Sequence, residues 1–249
     1  MWCRLAPLAV ALALAALPPA AAGANSPAEQ QARDLIARYH EDPTRLDRAR
    51  DLLEAAIKRE RPVDTLILLA RVHFLVGDVR ATTPEAKLAA YDRGREIGQR
   101  AVELAPRSEE AHLWYAINTG RWGQARGVVR SLFLLPTVRE ELDIIFALNP
   151  KSVRGHALAG NVMFEVPGLL GGDRKKAEEH YRKALTIDPR FTVVRVDLAR
   201  LLIATGRHDE ARRELTRVTV ERAPTNIADW TVKDVPRARA LLDSIKGTP

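Results

Sequence analysis

Six histidines, 32 carboxylates and one cysteine are the groups in this 249-residue chain whose types could do chemistry. Their spacing assembles no reaction centre. A helical zinc protease site needs two histidines four apart around a glutamate, and Glu178-Glu179-His180 offers only one histidine. The histidines are scattered along helical stretches, where a structural role is the simpler account. Gly168 to Lys175 has the glycines and cations of a phosphate loop, but lacks Gly-Lys-Ser/Thr. Asp173 stands where the anion would sit, so the stretch reads as a turn and helix cap. No Gly-x-Ser-x-Gly elbow occurs, and the carboxylates fall on solvated faces with no acid/base pair among them. The expectation is a protein that is not an enzyme and takes no metal and no cofactor.

The elements carrying these residues are helical. Hydrophobic residues make up 46% and aromatics only 5%, a balance that favours helices over a β-sandwich. Net charge is +7 with a pI near 9.8. The cations alternate with acids, as in Asp47-Arg48-Ala49-Arg50-Asp51, which is the pattern of solvated helix faces and argues against nucleic-acid binding.

Ala177, Tyr181 and Ala184 lie at i, i+4, i+7 between the cap at Asp173 and the stop at Asp188-Pro189. Ala211, Leu215 and Val218 repeat the pattern 34 positions on, the tetratricopeptide (TPR) period. Ala49, Leu53 and Ala56 repeat it upstream. The expected fold is all-α: a TPR-like α-solenoid of about five degenerate helical pairs and a C-terminal capping helix over Asp234 to Lys246. The third unit, Pro106 to Pro150, exceeds the period by about ten residues. Gly120-Arg121-Trp122-Gly123 reads as a break, Gln124 to Leu135 as an extra helix or lid, and Pro136 as a helix start. Leu169-Leu170 reads as tucked against a neighbour.

Residues 1–24 read as a cleaved signal peptide, with Arg4, an apolar run from Leu5 to Leu17, and small residues at Ala20 to Ala24. Residues 25–249 then form a single helical domain without cysteine, since Cys3 precedes the apolar run. A periplasmic or secreted location is expected.

The box Ala111-His112-Leu113-Trp114-Tyr115-Ala116 and the turn Glu165-Val166-Pro167-Gly168-Leu169-Leu170-Gly171-Gly172-Asp173 resemble the T-component family of TRAP transporters, over about Arg33 to Lys246. The box is also similar to one in the regulator-of-microtubule-dynamics family of TPR proteins. The first resemblance implies an exported helical protein that self-associates and partners a periplasmic solute-binding protein. The chain departs from the lipid-anchored members in lacking a lipoprotein cysteine.

First helices of stacked pairs line a concave face. Registering them on Ala70, Ala116, Gly160 and Ala199 puts Arg71, Ile117, Asn161 and Arg200 on that face, with Phe74, Gly120, Phe164 and Ile203 one turn later. Arg121 reaches the same surface, and Trp122 between its glycines reads as an exposed contact. Arginine and asparagine beside aromatics suit a protein segment or small organic anion with a carboxylate and an apolar body. The same residues also suit helix packing, and Trp114 and Tyr115 read as core. Two functions fit: an adaptor for a solute-binding protein or its ligand, and a general TPR scaffold for protein assembly.

Overall fold

The computed structural model describes residues 26–59 and 62–247. The expected signal peptide lies outside the described residues. Helices pair in order: α1 (Pro27–Ala37) with α2 (Arg45–Arg59), α3 (Val63–Leu75) with α4 (Pro84–Leu104), α5 (Glu109–Ala125) with α6 (Val128–Leu148), α7 (Val153–Glu165) with α8 (Arg174–Ile187), and α9 (Thr192–Ala204) with α10 (His208–Val220). A single turn, α11 (Ile227–Asp229), passes through a π-turn at Trp230–Asp234 into α12 (Val235–Ser244). No strand occurs among the described residues. Five pairs and a terminal helix make the all-α solenoid that the periodicity predicts.

Local chemistry sets the helix starts. Ser26 and Glu29 form a reciprocal capping box on α1. Thr83, Ser108 and Ser152 accept the N–H three residues on in α4, α5 and α7, and Asp173 accepts from Lys175 and Lys176 in α8. A second device repeats across three units. His112 and His156 each place Nε2 about 3 Å from the carbonyl of the proline six positions upstream, Pro106 and Pro150. Arg195 donates to the Pro189 carbonyl in the same register at 2.7 Å. His112 and His156 thus anchor helix entries.

Packing follows the small–large–small pattern. Ala177, Tyr181 and Ala184 are all fully buried, as are Ala211, Leu215 and Val218. Tyr181 lies flat against Gly160 and its hydroxyl donates to Asn161 Oδ1 at 2.7 Å. Tyr91 lies against Gly77 and donates to Asp78 at 2.9 Å. In each case a glycine admits the ring and the next residue takes its hydroxyl. An N-terminal core centred on α1 to α5 and a C-terminal core centred on α8 to α10 and α12 are bridged by a small cluster around Val138, Leu142 and Ala159.

Three local expectations are corrected. The third unit holds no separate lid: α5 runs unbroken through Gly120 and Gly123, and α6 runs unbroken through Pro136. Both helices are simply longer. A side chain at Gly123 would meet Ser131 Cα at 3.1 Å, so that glycine permits close approach of α5 and α6 rather than a break. Trp122 is 5% exposed and is not a surface contact. The guanidiniums of Arg95, Arg126 and Arg130 lie 4.9, 5.1 and 5.1 Å from its ring centroid and cover it. Leu169 is fully exposed and Leu170 largely so, because the turn is held by its backbone. Gly171 adopts φ +88, and Asp173 N–H bonds the Met163 carbonyl at 2.8 Å.

Candidate functional site

α3, α5, α7 and α9 neighbour one another in order, and a part of the chain's own C-terminal segment packs against them. Tyr39 OH donates to Asp229 Oδ1 at 2.5 Å, 190 positions away. Ala228 is fully buried in the N-terminal core, and Val232 packs against the same cluster. Trp230 packs on the C-terminal core and donates Nε1–H to the Val218 carbonyl at 2.8 Å. Residues 227–234 therefore join the two cores.

Two acidic hubs hold this crossing. Asp78, in the π-turn at Val76–Arg80 that ends α3, pairs with Lys233 at 2.5 Å and with Arg121 of α5. Burial pushes the Asp78 carboxyl up, but Lys233 and Arg121 outweigh it and hold it well below the usual range. Burial likewise opposes the charge on Arg121, and Asp78 more than restores it. Lys233 Nζ also stands 5.1 Å from the Phe74 ring centroid. The second hub is Asp197 of α9, 4% exposed, which faces Arg237 at 3.3 Å, Asn161 Nδ2 at 3.4 Å and Arg200 at 3.6 Å.

The residues nominated from sequence fall into two groups around these hubs. Phe74 and Arg121 converge on Asp78 and Lys233, with Ile117 packed on the N-terminal core nearby. Asn161, Phe164 and Arg200 converge on Asp197, Arg200 lying 5.6 Å above the Phe164 ring. Trp122 joins neither group. Lys233, Asp229, Asp78 and Asp197 were not nominated; they have partners 36 to 190 residues away, and no local pattern marks them.

Arg71 differs from the rest. Its guanidinium lies 5.8 Å from the Trp114 ring centroid, and it makes no ion pair among the described residues. Burial lowers its pKa, Arg154 lowers it further, Asp229 and Glu110 oppose the shift, and Arg33 adds to it. Arg154 lies over the Phe191 ring at 5.6 Å and likewise has no carboxylate partner there. Arg33 Nε is buried without a hydrogen-bond acceptor. Arg154 and Arg33 add like charge at Arg71 against the carboxylates of Asp229 and Glu110, and an anion there would restore the charge that burial opposes.

No group of three or more metal-ligating side chains gathers among the described residues. His156 and His180 place their Nδ1 atoms 2.9 Å apart beside the Phe146 ring, and burial lowers the pKa of both. Two neutral imidazoles sharing one proton account for that contact.

Comparison with known proteins matches residues 30–178 to the family described as regulator of microtubule dynamics protein 1-3, and residues 169–231 to a tetratricopeptide repeat. Regulator of microtubule dynamics protein 3 of Rattus norvegicus is 26% identical over 168 residues, covering 61% of this chain and 36% of that protein. Regulator of microtubule dynamics protein 1 of Bos taurus is 26% identical over 151 residues, covering 54% of this chain and 47% of that protein. The chain therefore spans about a quarter to a half of the length of the curated relatives it matches. Among solved structures, a thermophilic TPR protein of Thermus thermophilus superposes with a TM-score of 0.63 at 25% identity, covering 85% of this chain and 98% of that one. These matches support the second of the two resemblances read from the sequence; the T-component resemblance gains no support from them. They also overturn the periplasmic or secreted location, because the relatives are regulators of microtubule dynamics and microtubules are polymers of the cell interior.

Proposed function

The chain belongs to the regulator of microtubule dynamics protein 1-3 family, and on that premise we propose that it is a helical-repeat scaffold that binds an acidic segment of a partner protein at Arg71. A TPR scaffold for protein interactions is what the repeat match and the fold support. The finer reading rests on one observation: the Arg71 guanidinium lies over the Trp114 ring with no ion-pair partner among the described residues. A carboxylate arriving there takes a charge-assisted hydrogen bond from a group already oriented by an aromatic face. The chain's own 227–234 segment already engages Asp78 through Lys233, so the partner engages Arg71. Service to a solute-binding protein rested on the T-component resemblance and is not carried forward.

Selection from a displayed peptide library tests this reading. Recovered sequences are expected to be rich in Asp, Glu or a free C-terminal carboxylate beside an apolar residue. Enrichment of basic or charge-neutral sequences would overturn it.

A further inference from the structure

We infer that the edge of the solenoid formed by the start of α6 and the α7–α8 turn is a docking surface for an anionic lipid bilayer, separate from the groove. Large apolar side chains stand in solvent here: Val128 and Val129 are 73% and 70% exposed, Phe133 74%, and Leu169 fully. Two contacts place them at one edge. Gln124 at the end of α5 bonds Glu165 at the end of α7 at 2.5 Å, and Arg139 of α6 donates to the Leu170 and Gly171 carbonyls at 3.0 and 3.2 Å.

Cations outnumber acids around this patch. No Asp or Glu occurs from Ala111 to Arg139, a stretch that carries Arg126, Arg130 and Arg139 besides Arg121, which Asp78 holds in the groove. Arg126 and Arg130 lie on Trp122 and pair with no carboxylate among the described residues. The first turn of α8 is Arg174-Lys175-Lys176, all exposed. Cations in a first turn oppose the helix dipole, so the stability of α8 does not explain them. The nearest acids are engaged: Glu165 with Gln124, and Asp173 with the α8 backbone.

A bilayer is the occupant this chemistry favours. The apolar groups project from two elements instead of lining a hollow, so they offer a partner protein no pocket for an anchoring side chain. Projecting Phe, Leu and Val ringed by Arg and Lys match an interface with acyl chains beneath anionic headgroups. No described helix is long and apolar enough to cross a membrane.

Flotation of the full chain with vesicles tests the inference, using phosphatidylcholine alone and phosphatidylcholine with about a third phosphatidylserine. The protein is expected to float with the anionic vesicles, with at least tenfold less on the neutral ones. Phe133→Asp with Leu169→Asp, and separately Lys175→Glu with Lys176→Glu, should each lower the bound fraction at least tenfold, while melting stays unchanged. The glutamates suit the first turn of α8, so that second variant folds whatever its binding. Equal binding to both vesicles, no flotation, or variants that float like the parent would overturn it. Wild-type dimers in sedimentation velocity that the Phe133→Asp, Leu169→Asp variant abolishes would also do so, by assigning the patch to a second copy of the chain.

Discussion

Lys233 and Asp78 close the superhelix on itself: their Nζ and Oδ2 atoms meet at 2.5 Å across 155 positions of chain. Both side chains are largely buried, at 16% and 10% exposure, so the pair has little water to fall back on. Lys233→Met leaves Asp78 with Arg121 and the Tyr91 hydroxyl. We expect a loss of about 2–4 kcal/mol in urea unfolding. Limited proteolysis should then cut the chain first within residues 221–234. The Asp78→Asn, Lys233→Met double variant should lose less than the sum of the single changes.

Asp234 gives the fold a pH dependence of its own. It is 1% exposed, accepts from Thr192 Oγ1 at 2.7 Å, and burial pushes its pKa up to about 6. A folded pKa above the unfolded one means the native state binds the proton more tightly. Stability from this group is therefore greatest below the ordinary carboxylate range and falls as pH rises through about 6. Asp234→Asn should raise stability at pH 8 by roughly 1–3 kcal/mol, with no gain at pH 3.5, read as melting temperature against pH.

Two glycines of one chemical type should respond oppositely to alanine. A methyl at Gly160 would overlap the Tyr181 ring, whereas one at Gly120 meets nothing within 4 Å. Gly160→Ala is expected to cost about 1–3 kcal/mol through overpacking. Gly120→Ala, inside α5, should stabilise by about 0.5–1 kcal/mol. Paired chemical denaturation measures both.

Trp122 is expected to behave as core. Trp122→Ala should destabilise by about 3–5 kcal/mol and release Arg126 and Arg130 from its face, while Trp122→Phe keeps most of the stability. Equal unfolding midpoints for Trp122→Ala and the parent would show that the ring is not structural.

Much of the repeat architecture is legible in the chain because it is local. Asp173 caps the helix its position predicts, and Ala177, Tyr181 and Ala184 bury the face their spacing predicts. Local rules fail where tertiary contacts overrule propensity. Gly120 to Gly123 reads as a break and Pro136 as a helix start, yet α5 and α6 pack along their length and run through all three. Trp122 looks exposed between two glycines because its cover comes partly from Arg95, 27 positions upstream. The candidate site is half legible. Registering the first helices finds Arg71, Phe74, Arg121, Asn161 and Arg200, but nothing in the sequence announces that residues 227–234 return to them.

The most direct measurement of the central claim is the affinity of an acidic peptide recovered by selection for the parent and for Arg71→Ala, read by fluorescence anisotropy at low and high salt. The account predicts binding that weakens with salt and at least a tenfold loss in the variant, about 1.4 kcal/mol, with its melting temperature close to the parent's. Equal affinity in the two proteins, or binding indifferent to salt, would contradict an anion site at Arg71.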